Sequence, residues 1–396
     1  MKKKLHNSES LHYIKYMGSK TKILPFVIKG IEKIYTGGTI CDLFAGSASL
    51  AGALSEQVPI LSNDIQIYSS ILSKSYLTDW NNGDITVENI SAEASAYHNQ
   101  YFKDFVRDYQ YPKEITSSLF NKIEENSRQL ITNDFNHNWH LFTKYYSGTW
   151  WSVEQCTWID SYRKVIEDHR DNPMYSTLLC ALMYAAAYNS QGTGHYAQYR
   201  DAKTESAFKD ILIYRTKNIK DYFERKLNEA ISNLRKEPSK LDHHICQKDY
   251  IDCLKDIKDS TIYADPPYCF VHYSRFYHAL ETLVLYDYPE IQEKNGEYVK
   301  GRYRTDRHQS PFCIKTKVES AFDEMFAIIK ENNCSLALSY SNTGMIPIEE
   351  LLAIAQKYFP KEQISEETLA YYHMTMGRKA DRKREVNEKL ILIKSK

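Results

Sequence analysis

The residues with the most chemical content are Asp265, Pro266, Pro267 and Tyr268. Two consecutive prolines carry no N–H and fix φ, so they continue neither a sheet ladder nor a helix. They follow a short run with β-branched residues at 261–264, and so force a rigid, extended exit from a strand. The Asp265 carboxylate and the Pro266 carbonyl are then two fixed acceptors at the carboxyl edge of a sheet, where open α/β sheets bind ligands. Two such acceptors beside an aromatic ring suit a planar group that bears an NH2. The acceptors take its two N–H bonds, and Tyr268 stacks on its plane. Taken alone, the same four residues also describe a surface turn at a strand end.

Two further strand ends carry chemistry. Asp42, Phe44, Gly46 and Ala48 stand at a strand-to-helix junction, where a tight glycine turn brings backbone N–H groups close to a ligand. Asp64 ends the next short strand, a position from which an acid accepts hydrogen bonds from ribose hydroxyls in nucleotide-binding α/β folds. An aspartate there is also an ordinary helix cap. The eight cysteines include no Cys-x-x-Cys pair, and His195, His272 and His278 lack metal-ligand spacing. Reduced thiols are expected, with no zinc site, no disulfide framework and no metal.

The elements that must position these groups fall into three stretches. Residues 10–78 read as strand (39–44), helix (48–56), strand (59–64) and helix (65–77), which predicts a parallel α/β sheet. Residues 79–245 have a helical, polar pattern and contain all five tryptophans, so they read as an insertion. Strand–helix alternation resumes over 246–396, with strands at 261–264 and 334–340, helices at 318–331 and 348–358, and a final antiparallel pair at 368–372 and 389–393. The stretch 269–317 is rich in Tyr and Arg and reads as a long loop. The chain of 396 residues is long enough for two units of ordinary size. Its most apolar run, 174–188, is too short to span a bilayer and reads as a buried helix. The basic start has no apolar stretch after it, so no leader peptide, no membrane partner and a cytoplasmic location are expected.

In order along the chain stand Tyr16-Met17-Gly18-Ser19-Lys20, Asp42-x-Phe44-x-Gly46, Asn63-Asp64, Asp249-Tyr250 and Asp265-Pro266-Pro267-Tyr268. This series resembles the D12-type, alpha-order DNA adenine N6-methyltransferases over 10–78 and 246–396. The resemblance implies a Rossmann-like methyltransferase sheet made of those two segments, with 79–245 as a largely helical target-recognition domain. It implies S-adenosylmethionine as cofactor, S-adenosylhomocysteine as product, and double-stranded DNA as partner. It also implies methyl transfer to the N6 amino group of a flipped-out adenine. Tyr16, Gly18 and Lys20 match the motif that closes over the methionine part of the cofactor. Asp42, Phe44 and Gly46 match the cofactor loop, Asp64 the ribose-binding acid, and Asp249 and Tyr250 the pair beside the cofactor adenine. Asp265 to Tyr268 match the catalytic motif, with Asp265 also facing the cofactor. Where the family usually has a second glycine this chain has Ala48, which fits if φ is negative there. A role as the modification arm of a restriction or phage-defence system follows, with a cognate endonuclease or defence subunits as partners.

The chemistry of the residues agrees with that resemblance. Cytosine C5 methylation needs a cysteine nucleophile, generally after proline, and none of the 11 prolines precedes a cysteine. Alternatives are the same fold acting on RNA adenine or cytosine N4, where Ser or Asn more often opens the catalytic motif, and a non-catalytic DNA-binding subunit, which has no need of Asp265 and Asp64. No Gly-x-Gly-x-x-Gly follows the first strand, which disfavours a nicotinamide dehydrogenase.

With 51 basic and 51 acidic residues the net charge is zero, so bulk charge does not coat a polyanion and any DNA grip must be local. Lys300, Arg302, Arg304 and Arg307 follow the catalytic motif with Tyr298 and Tyr303 interleaved, a pattern expected to hold phosphates near the flipped base. Arg378, Lys379, Arg382, Lys383 and Arg384 form a second basic cluster that reads as a surface hairpin.

Overall fold

The computed structural model describes residues 4–8, 10–191, 194–267, 272–374 and 383–395. Tyr268 and, of the second basic cluster, Arg378, Lys379 and Arg382 lie outside the described residues, while Lys383 and Arg384 fall at the start of the last strand. The strands are β1 (Ile40–Asp42), β2 (Ile60–Asn63), β3 (His244–Cys246), β4 (Thr261–Ala264), β5 (Glu293–Lys294), β6 (Glu297–Tyr298), β7 (Ser335–Ser341), β8 (Ile364–Met374) and β9 (Lys383–Ile393). One seven-stranded sheet has the order β3-β2-β1-β4-β7-β9-β8, and β5 and β6 form a separate small hairpin. From β3 to β7 every pairing is parallel; β9 is antiparallel to both β7 and β8.

Helices α1 (Leu24–Ile34), α2 (Ser49–Leu54) and α3 (Ile67–Leu77) flank the first strands. The stretch between β2 and β3 continues with α4 (Val87–Tyr101), α5 (Ser117–Arg128), α6 (Leu141–Tyr146), α7 (Val153–Asp168), α8 (Tyr175–Asn189), α9 (Glu205–Arg215) and α10 (Ile219–Asn233). After β3 come α11 (Tyr250–Lys255), α12 (Tyr273–Phe276), α13 (His278–Leu285), α14 (Val318–Glu331) and α15 (Ile348–Gln356).

Strand residues alternate between two cores, as the period of a pleated strand requires. Ile40, Ile60, Tyr263 and Leu390 join α1, α2, α3 and α8 on one face. Cys41, Ile262, Leu336 and Ile391 join α11, α14 and α15 on the other. α1 lies close against β9: a Cβ on Gly30 would stand 2.1 Å from Leu390 Cδ2, so the Leu390 side chain would have to shift to admit one.

The sequence places most elements within a few residues of the observed ones, and three differences have physical causes. β3 begins at His244, inside the stretch read as insertion, because it is a short edge strand with exposed or half-buried residues and little apolar signal. The 269–317 stretch is not all loop. α13 buries Ala279, Leu280 and Leu283, and its two turns are too short to show a helical period. Finally, the inserted helices share one continuous core with the sheet: Trp150, Trp151 and Leu178 belong to the same cluster as Val27 and Leu72. The insertion is packed onto the catalytic part through α8, which touches α3 and α13.

Candidate active site

The chain crosses from one side of the sheet to the other between β1 and β4, and the carboxyl ends of these neighbouring strands open on a cavity of about 320 Å³. Asp42 ends β1, Asp64 follows β2 and Asp265 follows β4, so the parallel register brings three carboxylates to one edge. The cavity is also lined by Tyr16, Gly18, Lys20, Phe44, Gly46, Asp249, Tyr250, Pro266 and Pro267. Thus every described residue expected at the catalytic or cofactor site meets in one place. Lys300, Arg302, Arg304 and Arg307 do not line it.

Each acid has a different environment. Asp42 is 2% exposed, and its Oδ1 has no hydrogen-bond partner among the described residues. Burial pushes its carboxyl well above the usual range, and the charges of Asp265 and Asp64 push the same way. Asp64 accepts the Gly46 N–H at 2.8 Å and the Gln66 N–H at 2.9 Å. Burial raises its pKa, and those two N–H groups oppose the rise. The Gly46 N–H expected to approach a ligand is therefore taken by Asp64, which pins the loop. Asp265 Oδ1 stands 3.1 Å from Lys20 Nζ, which also meets Glu388 Oε1 at 2.6 Å. Burial pushes Asp265 up to about 6, with Lys20 lowering it and Glu388 raising it.

Aromatic rings form the walls. Phe44, Tyr250 and Phe312 pack edge to face or tilted with centroids 5.0–5.9 Å apart. Tyr16 stacks on Tyr277 at 4.8 Å and on Tyr273 at 5.7 Å, and the Tyr277 hydroxyl accepts the Met17 N–H. Asp249 caps α11 by accepting the Ile251 N–H at 3.0 Å, a structural use alongside its place in the lining.

The backbone of the loop is equally specific. Gly46 has φ +53°, and a Cβ there would lie 2.8 Å from the Tyr16 hydroxyl. A Gly46→Ala variant will therefore bind the cofactor that the sequence resemblance implies at least tenfold more weakly, because the loop must shift or Tyr16 must leave its stack. Calorimetry with S-adenosylhomocysteine checks this. Ala48 corrects one expectation: its φ is +55°, not negative. The alanine carries left-handed strain of about 1–2 kcal/mol, while its buried methyl packs in the sheet-side core.

Three residues of the basic stretch have partners within the chain. Arg302 is 4% exposed and donates to the Arg128 carbonyl at 3.0 Å. Arg304 makes a two-pronged pair with Asp287 at 2.8 and 2.6 Å, and Lys300 pairs with Asp201 at 2.9 Å. A run of Arg and Tyr has the same appearance in sequence whether its partners are phosphates or the chain's own acids and carbonyls.

Sequence reasoning missed Glu388, Tyr273, Tyr277 and Glu281. Glu388 is fully buried on β9, opposite Ser341 of β7, yet it reads as a polar flank of an apolar strand. Glu281 accepts the N–H groups of Ile67 and Tyr68, both at 3.0 Å, and so caps α3 just after Asp64. The four-residue spacing of Tyr273 and Tyr277 was the one signal for an aromatic face.

A largely parallel sheet with an antiparallel strand between β7 and the edge, and an acidic, aromatic-walled cavity at its switch point, defines an α/β protein of nucleotide-binding type. Within that class the chain belongs to the D12 class N6 adenine-specific DNA methyltransferases, whose family model it matches over residues 16–335. It is 26% identical, over 90% of its length, to the modification methylase LlaI of Lactococcus lactis subsp. lactis, covering 51% of that protein. It is 26% identical, over 87% of its length, to the type II methyltransferase M.FokI of Planomicrobium okeanokoites, covering 47%. It is 22% identical to the type II methyltransferase M.NlaIII of Neisseria lactamica, with 87% of this chain and 88% of that one covered. The chain spans about half the length of the first two relatives. Among the described residues, no helix is long and apolar enough to cross a membrane, and no group of three or more His, Cys, Asp or Glu is placed to hold a metal.

Proposed function

We propose that the chain is a site-specific DNA adenine methyltransferase that uses S-adenosylmethionine and modifies the N6 amino group of an adenine flipped out of duplex DNA. The observation that carries this is the convergence of Asp42, Asp64 and Asp265 with the Phe44–Tyr250 wall in one cavity at the carboxyl edge of the sheet. The cavity fits the cofactor: a buried, unpartnered Asp42 oxygen and two more carboxylates suit a ligand bearing cationic sulfonium and ammonium groups, and the aromatic wall suits its adenine. Tyr16, Gly18 and Lys20 would close one side, Phe44, Gly46, Asp249 and Tyr250 the other, and Asp64 would face the ribose. The bound cofactor supplies an electrophilic methyl group.

The chain's residues supply orientation and electrostatics. The exocyclic amine is a poor nucleophile because its lone pair is delocalised into the ring. Asp265 and the Pro266 carbonyl accept its two N–H bonds and draw the nitrogen towards a tetrahedral form, which localises the lone pair. With a pKa near 6, Asp265 is ionised at neutral pH and accepts the proton the amine loses. Lys20 holds that carboxylate in place. Extruding the base costs a few kcal/mol, offset by stacking, the role assigned to Tyr268, and by contacts to DNA elsewhere. We assign sequence choice to the helices of 79–245, cytoplasmic action, and work beside a cognate endonuclease or defence subunits; the modification-methylase relatives support this.

Transfer of a tritiated methyl group to duplex DNA, with RNA as the competing substrate, tests the function. Incorporation into duplex DNA supports it; incorporation into RNA alone overturns it. Asp64→Ala will weaken cofactor affinity and lower stability together, because two N–H groups lose their acceptor at about 1–3 kcal/mol each. Undiminished affinity in calorimetry would remove Asp64 from the site.

A further inference from the structure

The segments that close the cavity mouth bring together two arginines that have no ion-pair partner among the described residues. His272, Tyr273 and Ser274 line the cavity from one side, and His308, Gln309 and Ser310 from the other. The Ser274 hydroxyl donates to the His308 carbonyl at 2.6 Å and ties the two together. Arg275 follows Ser274 along the chain, and Arg307 precedes His308. Both guanidinium groups lie on the Tyr303 ring, with Arg275 Cζ 4.5 Å and Arg307 Cζ 5.8 Å from its centroid. Tyr303 is 4% exposed and donates its hydroxyl to the Ala197 carbonyl at 2.7 Å, so it is a fixed plate.

Neither arginine has an ion-pair partner among the described residues, in contrast to Arg304 with Asp287 and Lys300 with Asp201. Arg307 reaches only Gln292 Oε1, at 3.4 Å, and its Nε is buried without a partner. Arg307 feels the charge of Arg275, and His272 feels both. Holding like charges together without a counter-ion is unfavourable unless an anion completes the site. Two planar forks fixed on one aromatic plate suit the non-bridging oxygens of a phosphodiester.

We propose that Arg275 and Arg307, carried on Tyr303, form a phosphodiester clamp at the cavity mouth. The clamp holds a DNA backbone phosphate next to the extruded nucleotide. It rests on the reading of the chain as a DNA methyltransferase, and it moves the expected phosphate grip away from Arg302 and Arg304.

The test uses a duplex whose methylated adenine has been mapped with the wild-type enzyme. In Arg275→Gln and Arg307→Gln, KM for DNA will rise roughly tenfold each, as expected when a charge-assisted hydrogen bond is removed, while cofactor affinity stays unchanged. In the double variant the slope of log KM against log salt will flatten by about 0.9 for each phosphate no longer held. Neutral methylphosphonate linkages, placed one at a time around the target, will weaken the wild type at one linkage and not weaken the double variant further there. Unchanged KM and salt slope in the double variant, with normal transfer by the wild type, would overturn the clamp alone. Absence of transfer to any DNA by the wild type would overturn the clamp and the methyltransferase reading together.

Discussion

Replacing Asp265 by alanine will lower methyl transfer roughly 10³-fold or more in single-turnover measurements, the scale of losing an electrostatic group aimed at the reacting atom. The fold will survive. Lys20 keeps Glu388 at 2.6 Å, so no buried cation is stranded, and the β4 backbone keeps its pairing with β1 and β7. Cofactor binding will persist, because Asp42, Gly46 and the Phe44–Tyr250 wall are untouched. Most DNA affinity will persist as well, because phosphate contacts dominate it. Near-normal turnover by the purified, folded variant would remove Asp265 from the chemistry.

The second large effect concerns Lys20. It is 8% exposed and sits between the carboxylates of Asp265 and Glu388. Lys20→Met leaves two buried acids facing each other without a cation, a loss of about 3–5 kcal/mol. The pH dependence has a definite sign. Asp265 is raised to about 6, above its unfolded value, so the folded chain binds its proton more tightly. Its stabilising contribution is present at low pH and is lost as pH rises through 6. The stability deficit of Lys20→Met will accordingly shrink as pH falls towards 6, because Asp265 of the variant, without the cation that lowers it, takes up its proton before the wild type's does. Activity behaves in the opposite sense, since Asp265 must be ionised to accept a proton: kcat/KM will fall below about pH 6 in the wild type. Removing the Lys20 charge will move that acid limb to higher pH. Glu388→Gln, which removes a like charge, will move it to lower pH. Shifts of the same sign in both variants would show that Lys20 and Glu388 do not act through Asp265.

Much of this site was legible because strand ends in a parallel sheet converge on one edge. Asp42, Asp64 and Asp265 each end or follow a short apolar run, and the register of β2, β1 and β4 brings them to one cavity. Glu388 was not legible, because its role depends on the antiparallel β9 returning between β7 and β8. Side-chain partners were also beyond the sequence. Arg302, Arg304 and Arg307 belong to one basic run, yet one is buried on a carbonyl, one is paired with Asp287, and one lies on Tyr303. The helices between β2 and β3 were legible in their helical pattern, but their shared core with the sheet was not, since apolar faces do not state their partners. The left-handed φ of Ala48 was missed because alanine rarely adopts it.

The most direct measurement is mass spectrometry of nucleosides from duplex DNA incubated with the purified chain and S-adenosylmethionine carrying a deuterated methyl group. Deuterium-labelled N6-methyladenine from the wild type, and none from Asp265→Ala, is the predicted result. Label on cytosine C5 or N4, or no labelled nucleoside from a folded, cofactor-binding wild type, would contradict it.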